Sequence, residues 1–106
     1  EQFSTFKRVA NISKEVNLEQ ELTINPELFI EDIERDLYSE YLSVREGDYN
    51  NYDDKLKALF GLKPKLDRYF DSVMVNVDND NIKENRKNTV ASIYKSFKEI
   101  ADIKEI

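Results

Sequence analysis

The sequence lacks cysteine and histidine and contains few residues that break helices. Its 106 residues include two glycines and two prolines. The lack of cysteine excludes disulfides and thiolate metal sites, and the lack of histidine removes the commonest acid–base group near neutral pH. Neither glycine belongs to a phosphate-binding motif such as GxxxxGK(S/T) or GxGxxG. We therefore expect a domain that binds a partner and carries neither a catalytic site nor a metal site of its own.

Asp and Glu together number 22, but their arrangement does not indicate catalysis or metal binding. Adjacent carboxylates on a helix project in different directions and therefore do not form a pair that shares a proton. The cluster at 78–81 has the composition of a calcium-binding loop. However, a twelve-residue loop that begins at Asp78 would place Lys83 at the position that requires glycine. We interpret this cluster as a turn in which Asp78 or Asp80 caps the next helix.

The composition indicates one globular domain over residues 1–106. The chain is 40% hydrophobic and 36% charged, which is typical of folded proteins and too apolar for a disordered one. No apolar stretch is long enough to span a bilayer, so we expect no membrane association. The net charge of −6 disfavours binding to DNA, although basic residues gathered on one face can still contact RNA. Since the chain enters a helical pattern soon after Glu1, without a methionine, we expect it to be a segment of a longer protein.

Apolar residues recur every three or four positions along most of the chain, which predicts an all-α bundle of about five helices. Asn25-Pro26 marks the start of one helix, and Gly47 and Gly61 mark helix ends. The predicted helices span approximately 3–16, 30–44, 49–60 and 64–75, and a last, longest helix follows the turn at 76–81 and continues to near residue 103. The segment 72–77 alternates apolar and polar residues like a strand. Since no second segment is available to pair with it, we assign it to the end of the fourth helix.

Two of the predicted helices carry a stripe of basic residues. In the last helix, a basic stripe adjoins the apolar face and also contains Glu84 and Asp102. Its basic members are Lys83, Lys87, Lys95 and Lys98. In the first helix, Lys7, Asn11 and Lys14 align at spacings of four and three residues. A solvated helix surface is the ordinary explanation for each stripe, and contact with an RNA backbone is the alternative.

Arg86 lies in the middle of the apolar face of the last helix. A buried guanidinium requires a partner, and Asp71 on the preceding helix is the obvious carboxylate for a structural ion pair. The alternative is that Arg86 points into a groove and binds a phosphate or a base. Tyr69 and Phe70 also allow two interpretations, since they fit either the core or a surface on which unpaired bases stack.

Five short segments of the chain occur in an order that is familiar from one family. They are KRVANI at 7–12, ERDLY at 34–38, GDY at 47–49, the run from YFDSVMV to IKENR across 69–86, and FKEIADI at 97–103. Together they resemble the C-terminal part of the bacterial glycyl-tRNA synthetase beta subunit. Lys83 departs from the family, which usually has arginine there, and lysine does not make the bidentate contact of arginine.

The resemblance implies a DALR-type anticodon-binding domain at the C-terminus of a cytoplasmic beta subunit. In that family the enzyme is an α2β2 tetramer, in which the alpha subunit activates glycine with ATP and magnesium. The remainder of beta and tRNA-Gly are the other implied partners, and no cofactor is expected in this domain. Phosphate contacts are expected from Lys7, Lys14, Lys83, Lys87 and Lys98. Asn11 and Asn85 are the expected base readers.

A second function remains open, in which the domain is an acidic helical module that packs on other parts of its own subunit without touching RNA. The acidic second helix favours this alternative. Its carboxylates are Glu31, Asp32, Glu34, Asp36 and Glu40. A coherent positive groove would favour RNA binding, whereas an exposed apolar patch would favour packing.

Overall fold

The computed structural model describes residues 2–104, with side chains described over 5–99. Within this described range, five α-helices are accompanied by one 3₁₀ turn at Pro26–Leu28. The helices are α1 (Gln2–Ser13), α2 (Asp32–Glu46), α3 (Tyr52–Phe60), α4 (Lys63–Ser72) and α5 (Asp80–Lys104). No strand occurs within the described residues, and the predicted all-helical fold is confirmed. None of these helices is long and apolar enough to cross a membrane.

Asparagine side chains open two of the helical elements. The Oδ1 atom of Asn25 accepts a hydrogen bond from the backbone two residues later, at the start of the 3₁₀ turn. The Oδ1 atom of Asn51 accepts one from the backbone three residues later, at the start of α3. Such caps satisfy backbone N–H groups that have no partner inside the helix. Gly61 closes α3 and Pro64 lies in the first turn of α4, both as the sequence predicted.

The start of α5 is capped by Asn79 rather than by Asp78 or Asp80, so the predicted cap is wrong. The Oδ1 atom of Asn79 accepts hydrogen bonds from the backbone of Asn81 at 3.0 Å and of Ile82 at 3.2 Å. Asparagine and aspartate have nearly equal cap preference, so composition does not choose among neighbouring candidates. Asp102, which was expected to share the basic stripe of this helix, lies outside the described side chains.

The segment 73–77 is not helical, so its assignment to the end of the fourth helix is wrong; it leaves α4 with extended backbone at Val73 and bends at 75–76, and we refer to it as the extended segment. The last helix turn of α4 ends at Ser72, and Val73 has φ −116° and ψ 124°. Val73 is buried, Met74 is exposed and Val75 is partly buried, which is the alternating burial of a strand. The buried face of this segment packs on the core, and Met74 O is satisfied by a side chain instead of a second strand. The alternation in the sequence therefore matches the burial of residues 73–75, although no strand forms there.

The core lies where α5 crosses the other helices. The α1 helix packs along α5, and α4 packs against α2. The fully buried apolar side chains are Val9, Leu37, Leu59, Leu62, Leu66, Tyr69, Val90 and Ile93. Burial of each of these leucine or isoleucine side chains contributes roughly 1.5–3 kcal/mol relative to an exposed position. This core fixes α1, α4 and the extended segment relative to one another.

Candidate nucleic-acid interface

Arg86 and Glu34 form a buried ion pair between α5 and α2. The Nε atom of Arg86 donates to Oε1 of Glu34 at 2.9 Å, and the two side chains are 6% and 1% exposed. A second guanidinium nitrogen donates to the backbone oxygen of Met74 at 2.7 Å. The pair therefore joins three parts of the fold, because Met74 belongs to the extended segment.

The predicted partner of Arg86 was Asp71, and this prediction is wrong. Asp71 is exposed near the end of α4 and lines an open groove beside α1, whereas the carboxylate that Arg86 contacts is Glu34. Arg86 therefore has a structural role and does not project into an open groove. Sequence reasoning placed Glu34 among the carboxylates of the acidic second helix and did not identify it as the partner of Arg86. The signal that identifies it is spacing: Glu34 precedes Leu37 and Tyr41 by three and seven residues, on the apolar stripe of α2.

Hydrogen bonds keep Glu34 ionised in the core. Burial alone raises the pKa of this carboxyl group, but Arg86 and the backbone N–H groups of Ile30 and Glu31 outweigh that effect. The pKa of Glu34 therefore lies below its usual value. Tyr69 is completely buried nearby, and burial, together with the charge of Glu34, raises the pKa of its hydroxyl group. Tyr69 is therefore a neutral core residue, which settles the choice between core and base stacking for this ring.

An open groove of about 570 Å³ runs between α1 and the chain that leaves α4. Its walls are Arg8, Asn11, Ile12, Phe70 and residues 71–76. Met74 projects there with 68% of its surface exposed. Among the described residues, no hydrogen bond satisfies the backbone N–H groups of Met74, Val75 and Asn76. We refer to this feature as the α1 groove, and it offers apolar surface together with polar backbone.

Arg8 and Phe70 form the closed end of the α1 groove. The guanidinium carbon of Arg8 lies 4.4 Å from the centre of the Phe70 ring, which is a cation–π distance. Phe70 is itself 8% exposed and packs edge-on against Tyr69. Arg8, by contrast, is exposed. The planar group available at the surface is therefore the guanidinium, and the Phe70 ring lies beneath it.

The basic stripe of α1 is open to solvent. Lys7 and Asn11 on α1 and Lys14, the residue directly after α1, are all exposed, and no salt bridge within the described residues involves Lys7, Arg8 or Lys14. The sequence of α1 contains no acidic residue. We refer to Lys7, Arg8, Asn11 and Lys14 as the α1 basic face. It is a local positive surface on a protein whose net charge is −6.

Two of the four lysines in the basic stripe of α5 lie beside carboxylates. The Nζ atom of Lys87 lies 2.7 Å from Glu15, and that of Lys83 lies 3.8 Å from Asp80. Both lysines line a cleft of mixed charge that also contains Glu21 and Glu84. Lys98 is exposed near the other end of the helix. The two stripes therefore do not merge into one positive groove.

Asn85 has a structural role that differs from the predicted one of base reader. Its side chain is 4% exposed. Its amide nitrogen donates to the backbone oxygen of Asn25 at 3.0 Å, and its Oδ1 accepts from the Asn25 N–H at 2.7 Å. Both ends of the amide are thus engaged in holding the 3₁₀ turn against α5. Asn11 is the remaining predicted base reader, and it lines the α1 groove.

The fold and this site define an all-helical domain with a basic helix beside an open groove. No family model matches the chain. The chain is 41% identical over 104 residues, 98% of its length, to the protein of Helicobacter pylori strain G27 named glycine–tRNA ligase beta subunit. Proteins of the same name from Persephonella marina and Methylobacillus flagellatus are 33% and 35% identical, over 97% and 94% of the chain. The chain therefore belongs to the family of glycine–tRNA ligase beta subunits, and it spans about 15% of the length of each of these relatives.

Proposed function

We propose that this chain is the anticodon-binding domain of a glycine–tRNA ligase beta subunit. Similarity over nearly the whole chain to one segment of proteins with that name supports the assignment to such a subunit. In this proposal the domain is of the DALR type and holds tRNA-Gly, while an alpha subunit with ATP and magnesium performs the chemistry. The complete enzyme is then a cytoplasmic α2β2 tetramer.

The α1 basic face is the observation that carries the proposal for RNA binding. Its three cations are exposed and are not compensated by described carboxylates. Positive groups that replace condensed counterions supply most of the affinity for a nucleic acid backbone. The adjoining α1 groove gives unpaired bases a place to enter, as recognition of single-stranded RNA requires. Lys7 and Lys14 are accordingly the strongest candidates for phosphate contacts, followed by Lys98.

Lys83 and Lys87 are weaker candidates than the sequence suggested. An RNA phosphate must compete with Glu15 for Lys87, and four carboxylates line the cleft that holds both lysines. Lysine acts on phosphate as a point charge, so a nearby carboxylate directly reduces its contribution. The proposal therefore assigns the main RNA contact to α1.

Removing the two α1 lysines tests this function. In the full-length subunit assembled with its partner, Lys7→Ala with Lys14→Ala should lower the affinity for tRNA-Gly at low salt. The plot of log affinity against log salt should flatten by about 1.4, because each lost single-strand phosphate contact removes about 0.7. Filter binding across a salt series measures both quantities.

The matched control is Lys55→Ala with Lys57→Ala on α3, which changes the net charge equally. Neither lysine forms a salt bridge within the described part of the chain. The control should leave the slope close to that of the wild type. Equal slopes for the two double variants would contradict a specific role for the α1 basic face.

A second candidate function is packing against another part of the subunit, and one surface feature favours it. The rings of Phe6, Phe60 and Phe97 contact one another with centroid distances of 5.1–5.4 Å. Phe60 remains 45% exposed in this cluster. An exposed aromatic cluster of this kind is typical of a protein–protein contact. It involves different residues from the α1 groove, so the two functions are compatible.

A further inference from the structure

The placement of Arg8 suggests more than a phosphate contact. Its guanidinium lies 4.4 Å from the centre of the Phe70 ring, yet the residue is exposed and lines the α1 groove. The Phe70 ring therefore contacts the group from one direction, while the exposed Arg8 side chain also borders the α1 groove. A planar guanidinium held in this way is a surface on which an RNA base can stack.

We propose that Arg8 is a stacking platform for one unpaired base of single-stranded RNA, which enters the α1 groove. The base lies on the side of the guanidinium away from the Phe70 ring, so that base, Arg8 and Phe70 form successive layers. The extended segment 73–76 forms the opposite wall. This inference rests on the proposed RNA-binding function and adds the contact that recognises a base.

The polar groups around the platform suit the edge of a base. Asn11 lies three residues after Arg8 on α1, so the two side chains share a face of the helix. The exposed side-chain amide of Asn11 provides one donor group and one acceptor group. No hydrogen bond from another described residue engages this amide. The backbone N–H groups of Met74, Val75 and Asn76, which have no hydrogen-bond partner among the described residues, are donors on the other wall. These groups match the donors and acceptors of a base edge.

The charge of the α1 groove favours a neutral base over a phosphate. Asp71 lines the same groove, and its carboxylate opposes an anionic group that enters beside Arg8. Ile12, Val75 and the exposed Met74 add apolar surface that suits a flat ring. The groove volume of about 570 Å³ also falls within the roughly 300–1,000 Å³ typical of ligand pockets.

Both walls of the groove are held in place before RNA binds. Phe70 restrains the guanidinium of Arg8 from below. The buried pair of Arg86 and Glu34 holds the opposite wall, since Arg86 donates to the backbone oxygen of Met74. A site that is ordered in advance loses less conformational entropy on binding, which strengthens the complex.

The test uses the full-length subunit assembled with its partner and transcripts of tRNA-Gly. One transcript is intact, and in the others each nucleotide of the anticodon loop is made abasic in turn. The Arg8→Lys substitution keeps the positive charge and removes the planar guanidinium group. We expect Arg8→Lys to weaken binding of the intact transcript between about fivefold and a hundredfold, the range for loss of one stacked base. The salt slope should not change, because the charge is retained.

The base dependence distinguishes a stacking platform from a structural role. For one abasic position, the Arg8→Lys penalty should disappear, because the variant and the missing base remove the same contact. Phe70→Leu, which keeps an apolar residue but removes the ring, should show the same dependence on that position. Arg35→Lys, an exposed arginine on α2, is the matched control and should bind like the wild type.

Three results would overturn the platform. In the first result, the Arg8→Lys variant binds tRNA-Gly as tightly as the wild type does, although an abasic anticodon position still weakens binding by the wild type. This result would refute the platform and leave the proposed function intact. An Arg8→Lys penalty that is equal for every transcript would assign Arg8 a packing role only. Wild-type binding that is insensitive to every abasic position would instead refute the proposed function, and the platform with it.

Discussion

Single residues in this fold have roles that depend on their partners across the chain. Arg86 is paired with Glu34, a residue 52 positions away, and the pair also fixes the backbone at Met74. A buried ion pair makes the folded state little more stable than a pair of apolar residues would in the same place. Loss of one partner, however, leaves the other charge buried and without compensation. The pair is therefore a sensitive point for stability.

Glu34→Gln should destabilise the domain by about 3–5 kcal/mol, the cost of removing one partner from a buried pair. Urea unfolding followed by circular dichroism measures the change. Glu40→Gln is the matched control, since Glu40 is an exposed residue of the same helix, and surface changes usually stay within about 0.5 kcal/mol. A loss below about 1 kcal/mol for Glu34→Gln would contradict the role assigned to the pair.

The same pair predicts a pH dependence. The pKa of Glu34 is lower in the folded state than the usual value of about 4.3 for a glutamate, because Arg86 and two backbone N–H groups stabilise the anion. The stabilisation is therefore fully present above about pH 5 and is lost as the pH falls through the folded pKa. The free energy of unfolding of the wild type should decline on that acid limb more steeply than that of Glu34→Gln. Parallel acid limbs for the two proteins would contradict this assignment.

At the scale of elements, the sequence allowed the helices to be predicted but not their exact ends. Apolar spacing identified the helices, and Pro64 and Gly61 marked boundaries that the structure confirms. The extended segment 73–77 was missed because a strand was expected to need a second strand. In this fold, packing on the core and a hydrogen bond from Arg86 stabilise the segment in the absence of a second strand among the described residues.

Asn79→Ala should lower the stability of the domain by about 1 kcal/mol, because the backbone N–H groups of Asn81 and Ile82 lose their cap. Asn79→Asp should be tolerated, since aspartate caps equally well and its charge favours a helix N-terminus. Thermal unfolding measures both variants. Asn50→Ala, at an exposed position outside the helices, is the control. Equal stability of the Asn79→Ala and Asn50→Ala variants would rule out the cap.

At the scale of the whole molecule, the net charge does not show how the charged residues are distributed over the surface. A net charge of −6 argues against nucleic acid, yet α1 contains no acidic residue and exposes its cations beside a groove. Sequence spacing identified the basic stripe of α1 correctly. It overestimated the stripe of α5, because the salt bridge between Lys87 and Glu15 joins residues 72 positions apart. Arg8 was missed as a site residue because its relation to Phe70 arises only from packing.

Footprinting of tRNA-Gly tests the central claim most directly. Hydroxyl-radical cleavage would be compared for the intact ligase and for an enzyme without the segment that corresponds to residues 1–106. The intact enzyme should protect the anticodon loop, and the truncated enzyme should lose that protection while it retains protection elsewhere on the tRNA. Undiminished protection of the anticodon loop by the truncated enzyme would contradict the claim and favour the packing function of the exposed Phe60 cluster.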